Sequence, residues 1–356
     1  MATHFYTQIV SDLLAAPHQP KWVAIRRQGS ATMARAQPWH ERQLPGLTPC
    51  VQDSGWKSTN IFLAEPNEIE GPMQIGVVYP QTELKGDPEA VRAFGLAAEE
   101  LGYDYILAYD HVVGASHDRE PKLTGPYTEH DPFHDPFVMF AYLAGMTQRV
   151  EFATGVIILP QRQTVLVAKQ AADLDLLSGG RLRLGVGTGW NYVEYDALGQ
   201  DFKTRGKRMD EQVEYLRMLW SEPLVSFTGN FDRIEAACLL PRPTRQIPIW
   251  MGGFNDPAFR RAARTGDGFM YTGPTKYALA GHARVQEYAD GYGRDLTGFG
   301  KEMVGARTND LDRLANEADV WRAAEGTHLS IVTMQMGFET VDQHIELMGQ
   351  VKQRLA

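Results

Sequence analysis

The strongest constraint on this chain is a rhythm. From Met73 onward, short apolar runs alternate with stretches whose apolar residues fall on a helical spacing. The runs cover residues 74–79, 103–109, 150–159, 181–186, 248–251, 268–271, 302–306 and 328–333. Helices are predicted over 87–101, 137–146, 165–177, 207–220, 257–264, 277–289, 311–324 and 341–355. Gly102 sits where a helix-terminating glycine belongs. Eight strand–helix units is the count that closes a parallel barrel. The runs are continuously apolar, as strands covered on both faces should be. The rival α/β architecture, an open doubly wound sheet, usually has fewer units and one early glycine fingerprint. The expected fold class is therefore α/β, a (β/α)8 TIM barrel over residues 73–356. A hairpin over 224–234, turning at Gly229-Asn230, interrupts the rhythm.

Residues 1–72 lack that rhythm. One helix-like stretch carries Ile9, Val10, Leu13 and Leu14, and the pattern dissolves after Pro17. This segment is expected to be an irregular extension of the barrel. The 356 residues suffice for one large barrel. The net charge of −9 is spread along the chain, which argues against nucleic-acid or acidic-membrane partners. No apolar stretch is long enough to span a bilayer, and the first residues do not read as an export signal. A cytoplasmic location is expected. Cys50 and Cys238 stand far apart, outside any CxxC spacing, and read as reduced thiols.

In such a barrel, chemistry belongs at the carboxyl ends of the strands. Pro80 and Gln81 follow the first and read as a loop opener. Asp110 and His111 follow the second. A histidine can exchange a proton near neutral pH, and an adjacent carboxylate can orient it or bond a cofactor. The same pair also suits a purely structural loop. The loop 114–136 is long enough for a lid or a substrate wall. Its His130 and His134 are spaced like metal ligands, but Pro132 and Pro136 oppose the helix that would align them. Gly155, inside the third run, fits a bulge or a close ligand. Gly185-Val186-Gly187-Thr188-Gly189-Trp190-Asn191 after the fourth run permits close backbone approach, or simply a tight turn. Gly252-Gly253 after the fifth precedes a helix capped by Asn255 or Asp256 with Pro257 at its start, a place where phosphate can bind. Arg260 or Arg261 would assist there.

Together these strand ends resemble the bacterial-luciferase-like oxidoreductases, in particular the branch dependent on the deazaflavin coenzyme F420. The likeness runs through Ile75 to Gln81, Ala98 to Asp104, Tyr109-Asp110-His111-Val112 and Asp131 to Phe137. Its most specific part is Ser178-Gly179-Gly180-Arg181 followed by Gly185 to Trp190. Arg205-Gly206, Gly252-Gly253 and Gly266-Asp267-Gly268-Phe269 complete it. The resemblance implies a barrel, usually a homodimer, with the cofactor ring across the strand mouths. It places Asp110 and His111 beside the ring as catalytic residues, Asp110 holding the ring or orienting His111. It places a strained, often cis, peptide at Thr154-Gly155-Val156 behind the ring. Gly187, Thr188, Gly189, Asn191, Gly252 and Gly253 would contact the cofactor's tail and phosphate. The implied activity is hydride transfer between reduced F420 and a small organic substrate, with another enzyme reducing the cofactor. The same family includes monooxygenases that use flavin mononucleotide (FMN). A metal-dependent barrel hydrolase built on Asp110, His111, His130 and His134 is the rival of a different class, and a non-catalytic barrel is a third. No metal is expected.

Overall fold

The structure, a computed structural model, describes residues 71–305 and 307–355. The expected extension over 1–72 lies outside the described residues except for Gly71 and Pro72, and so does Cys50.

The strands are β1 Gln74–Val78, β2 Tyr105–Ala108, β3 Glu151–Thr154, β4 Ile157–Ile158, β5 Leu182–Gly187, β6 Val225–Thr228, β7 Arg233–Ala237, β8 Ile249–Gly252, β9 Gly268–Thr272, β10 Gly300–Val304 and β11 His328–Val332. The helices are α1 Pro88–Glu100, α2 Pro136–Ala144, α3 Thr164–Ser178, α4 Tyr192–Ala197, α5 Arg205–Ser221, α6 Asp256–Thr265, α7 Thr275–Tyr292, α8 Leu311–Ala323 and α9 Val341–Leu355. Parallel pairing runs β1-β2-β3-β5-β8-β9-β10-β11 and returns from β11 to β1. Eight strands thus close a ring, with β4 prolonging β3 along β5 through Ile157↔Val186. The predicted barrel is the observed one.

Strand alternation divides the apolar residues into two cores. Ile75, Val77, Ile106, Phe152, Leu184, Ile249 and Phe269 point outward and pack under the helices. Val78, Leu107, Ala153, Trp250, Met270 and Val304 point inward and fill the barrel. Burying such a side chain contributes roughly 1.5–3 kcal/mol. Local signals set the helix ends. Asp87 caps α1 by accepting the Glu89 N–H, and Pro88 opens the helix. Gly179, in the left-handed region, ends α3. Arg181 then makes five hydrogen bonds, to Ser178, Thr147 (two), Val150 and Ala144, and so ties the end of α3 to the passage from α2 into β3.

Three local expectations change. The run 150–159 is two strands, β3 and β4, with a cis Gly155–Val156 peptide between them. The hairpin turns over four residues, with Thr228 opposite Arg233. Glu211 on α5 accepts the N–H groups of Asn230, Phe231 and Asp232, which a two-residue turn would not present together. Helix α4 was not predicted, being too short to show a period.

The described core buries histidines in neutral form. His344 is fully buried, bonded through Nδ1 to Thr333 Oγ1 at 2.9 Å, and its Nε2 has no partner. Burial pushes its pKa down to about 4. Burial, then the nearby Arg183, pushes His328 well below the ordinary range. An unfolded histidine titrates near 6.5. Between about 6.5 and 4 the unfolded chain therefore binds protons that the folded chain refuses. Stability is complete above that window and falls as pH drops through it, by about 1.4 kcal/mol per pH unit for each such histidine. The thermal midpoint is expected to decline steadily from pH 7 to 4.5. The His344→Gln variant should show a shallower decline, and an unchanged slope would remove His344 from the account.

Candidate active site at the mouth of the barrel

The carboxyl ends of β2, β3, β5 and β8 meet on one side of the mouth. His111 lies three residues past β2. Its Nδ1 is 2.8 Å from Glu194 Oε1, which also accepts the Val112 N–H at 3.2 Å. Glu194 is 1% exposed and comes from α4, the helix that sequence reasoning missed. Asn191 caps that helix by accepting the Val193 N–H at 3.1 Å. A carboxylate oxygen only accepts, so the bond assigns the proton of neutral His111 to Nδ1. Nε2 makes no hydrogen bond among the described residues and is left for a ligand. The ring is walled by Phe133, Tyr127 and Trp190, with centroids at 4.8, 5.2 and 5.6 Å, all edge-on. Burial pushes the Tyr127 phenol up to about 12, so that wall is neutral.

Asp110 behaves differently from expectation. Alternation along β2 turns Tyr109 inward and Asp110 outward. Its carboxylate is fully buried, accepts the Ile158 N–H at 3.0 Å and pairs with Arg162 Nη2 at 2.7 Å. It bonds neither nitrogen of His111; Glu194 orients that ring instead. Burial pushes the Asp110 carboxyl above its ordinary range, and Arg162 opposes the shift. Arg162 also holds Asp135, the cap of α2, at 3.0 Å. Gln81 completes the brace. Its amide donates to the Tyr109 carbonyl and accepts the His134 N–H, both at 2.6 Å, so this loop opener fixes both ends of the long loop.

The glycines form a cradle. A Cβ on Gly187 would stand 2.5 Å from Val156 Cγ2, and one on Gly252 would stand 2.7 Å from Val156 Cγ1. Gly155, Val156, Thr188, Gly189, Gly252 and Gly253 are all half-exposed there. Glycine at 187 and 252 leaves the space that the Val156 side chain fills. The half-exposed backbone of Gly155, Gly189, Gly252 and Gly253 around Val156 fits the face of a planar ring. Thr154 does not belong to the cradle. It is 0% exposed, points outward, and donates its hydroxyl to the Gly185 carbonyl at 2.7 Å. Gly252-Gly253 does precede α6, capped by Asn255. Arg261 there is taken by Asp210, and Arg260 lies over the Tyr288 ring.

Among the described residues, no three His, Cys, Asp or Glu side chains converge as metal ligands. His130 stands beside Glu129, whereas His134 faces Gly86. The rival metal-dependent hydrolase loses its donor set. Among the described residues, no helix is long and apolar enough to cross a membrane.

Residues 73–325 match the family model described as luciferase-like monooxygenase, and the chain belongs to that family. An uncharacterised protein of Mycobacterium tuberculosis is 39% identical over 182 residues, 50% of this chain and 63% of that protein. The chain thus spans less than two thirds of the length of that relative. An F420-dependent glucose-6-phosphate dehydrogenase of Segniliparus rotundus is 30% identical over 268 residues, 72% of each chain. Among solved structures, an F420-dependent secondary alcohol dehydrogenase with an F420–acetone adduct superposes with a TM-score of 0.65 at 16% identity. It covers 80% of this chain and 99% of its own, a likeness that shows the fold.

The site geometry makes one stability prediction. Removing one partner of a buried pair leaves an uncompensated charge, at a cost of about 3–5 kcal/mol. Arg162→Met is expected to lower the urea midpoint accordingly. Adding Asp110→Asn should restore part of the loss, and simple additivity in that double-mutant cycle would show the two residues to be uncoupled.

Proposed function

We propose that this chain is an oxidoreductase that moves a hydride between F420 and the carbon of a small alcohol or carbonyl substrate. The observation that carries the reading is the His111–Glu194 pair beside the glycine cradle at the barrel mouth. The F420-dependent relatives support the choice of cofactor. When bound, the deazaflavin supplies a two-electron hydride donor or acceptor. Gly187, Gly252 and Val156 would hold its ring face, and Gly189 and Gly253 would leave backbone open to its tail.

The chain itself manages the proton. In the oxidising direction, Nε2 of His111 accepts the hydroxyl proton while the hydride leaves the alcohol carbon, giving the carbonyl product. Glu194 stabilises the resulting imidazolium through Nδ1 and fixes the ring's direction. In the reducing direction the same proton returns from Nε2 to the product oxygen. Tyr192 donates to the Pro121 carbonyl at 2.6 Å and ties the loop 112–135 to α4.

Titration of tryptophan fluorescence compares the cofactors, because Trp190 stands at the mouth. F420 is expected to quench and to saturate at lower concentration than FMN. The opposite order would favour the monooxygenase use that the family also includes. Gly187→Ala should weaken that binding, since the added methyl displaces Val156. His111→Ala should retain cofactor binding and lose about 10²–10⁴-fold in turnover. Glu194→Gln should retain part of the activity with an altered pH profile. Unchanged turnover in His111→Ala would end the proton-transfer assignment.

A further inference from the structure

The residue that opens the loop after β1 is placed to govern the histidine at the mouth. We propose that Gln81 is a positioning residue for His111. It holds the strand end before His111 and the loop segment carrying Phe133 at one separation, and so fixes the direction in which the imidazole presents Nε2. The inference deepens, and rests on, the reading of His111 as the group that exchanges a proton with substrate.

The first observation is reach. The Tyr79 N–H donates to the Leu107 carbonyl at 2.8 Å, and the Gln81 N–H donates to the Tyr79 carbonyl at 3.0 Å, so the backbone of Gln81 is anchored to β1 and β2. Gln81 is 2% exposed. Its Nε2 donates to the Tyr109 carbonyl and its Oε1 accepts the His134 N–H, both at 2.6 Å. Tyr109 stands two residues before His111. His134 directly follows Phe133, whose ring centroid lies 4.8 Å from that of His111. The two bonds of one side-chain amide thus end on the two chain segments that bring these rings together.

The second observation is chemistry. Both partners are main-chain atoms, one a carbonyl that needs a donor and the other an N–H that needs an acceptor. An amide side chain offers both in one plane, whereas a carboxylate would set an acceptor against the carbonyl. Burying an amide is costly unless it is bonded, and here its nitrogen and its oxygen are both used. Arg162 ties the same two segments again, pairing with Asp110 at 2.7 Å and Asp135 at 3.0 Å. That tie runs between side chains, which can rotate. The Gln81 tie runs between main chains and sets their separation directly.

The third observation is what the separation controls. One oxygen of Glu194 meets His111 Nδ1 at 2.8 Å and the Val112 N–H at 3.2 Å. A shift of the backbone after Tyr109 disturbs both bonds together. Hydrogen bonds weaken steeply with lost distance and angle. Release of Nδ1 frees the imidazole proton to move to Nε2, the atom that must stay unprotonated to accept a proton from an alcohol.

The test reads the ring itself. The full chain, with nitrogen-labelled histidine and without cofactor or substrate, is studied by nitrogen–proton correlation NMR in mildly alkaline solution. The His111 signals are those missing from His111→Ala. In the unaltered chain one tautomer is expected, protonated at Nδ1, with its ring protons displaced by the edges of Tyr127, Phe133 and Trp190. Gln81→Met keeps the length and removes both bonds. It should mix the tautomers and bring the ring protons toward the positions of free histidine. Gln81→Asn keeps the amide but is one methylene too short to bridge both partners. It should move the signals in the same direction, and it serves where the Met variant does not fold. Tyr103→Phe is the control. It removes the buried bond from the Tyr103 hydroxyl to the Met348 carbonyl at 3.0 Å, at the amino-terminal end of β2. It should lower the thermal midpoint and leave the His111 signals in place. Unmoved His111 signals in a folded Gln81 variant would overturn the proposal, and so would an equal movement in Tyr103→Phe. Turnover of His111→Ala tests the proton-transfer reading separately, so its failure and the failure of the positioning role are distinguishable.

Discussion

The barrel closes around a charge. Arg183 on β5 points inward, and its guanidinium lies between the Tyr105 and Trp250 rings at 4.3 and 4.2 Å. Glu302 on β10 faces it at 3.4 Å and accepts from the Tyr105 hydroxyl at 2.9 Å and from Ser330. Two rings and an ion pair need room inside an eight-stranded barrel. Glycines supply it: a Cβ on Gly76 would overlap Tyr105, and one on Gly268 or Gly300 would meet Trp250. A buried pair contributes little to net stability when intact, but removing one partner leaves a charge in a low dielectric. The interior thus requires these residues jointly, and it fixes the register in which the strand ends reach the mouth.

That register decides the fate of neighbouring residues. Asp110 and His111 are adjacent in sequence but serve separate tasks. The outward turn at Asp110 places a carboxylate among Ile158, Arg162 and Asp135, where it braces three loops. Both residues lie past the end of β2, and one position on from Asp110 the His111 ring lies toward Glu194. Asp110 supports His111 at one remove, through Ile158 and Arg162. The pair is one unit only in the sense that the first residue holds the loop on which the second sits.

The barrel was legible because its signal is long. Eight apolar runs, each followed by a helix, resist misreading even where single boundaries shift. The cis Gly155–Val156 position was anticipated by the family likeness, and glycine in a strand interior was its visible trace. What stayed hidden shares a physical character. Glu194 lies on α4, too short for periodicity, and reaches His111 across 83 positions of chain. Arg162 follows a strand end as an ordinary loop residue until Asp110 and Asp135 are seen on either side of it. Thr154 looked like part of the cradle because it adjoins Gly155, yet alternation sends it to the other face. Each of these depends on which way a side chain points, which sequence spacing near a strand end does not determine.

The same distinction separates the two halves of the site. The cradle is made of backbone, so its character follows from absent side chains at Gly155, Gly187 and Gly252, and those absences can be read directly in a sequence. The aromatic wall beside His111 is made of side chains from the loop 112–135 and from Trp190, and Gln81, Asp135 and Tyr192 hold that loop. Loop residues can vary without disturbing the charged interior of the barrel, so the aromatic wall and the glycine backbone answer to different constraints.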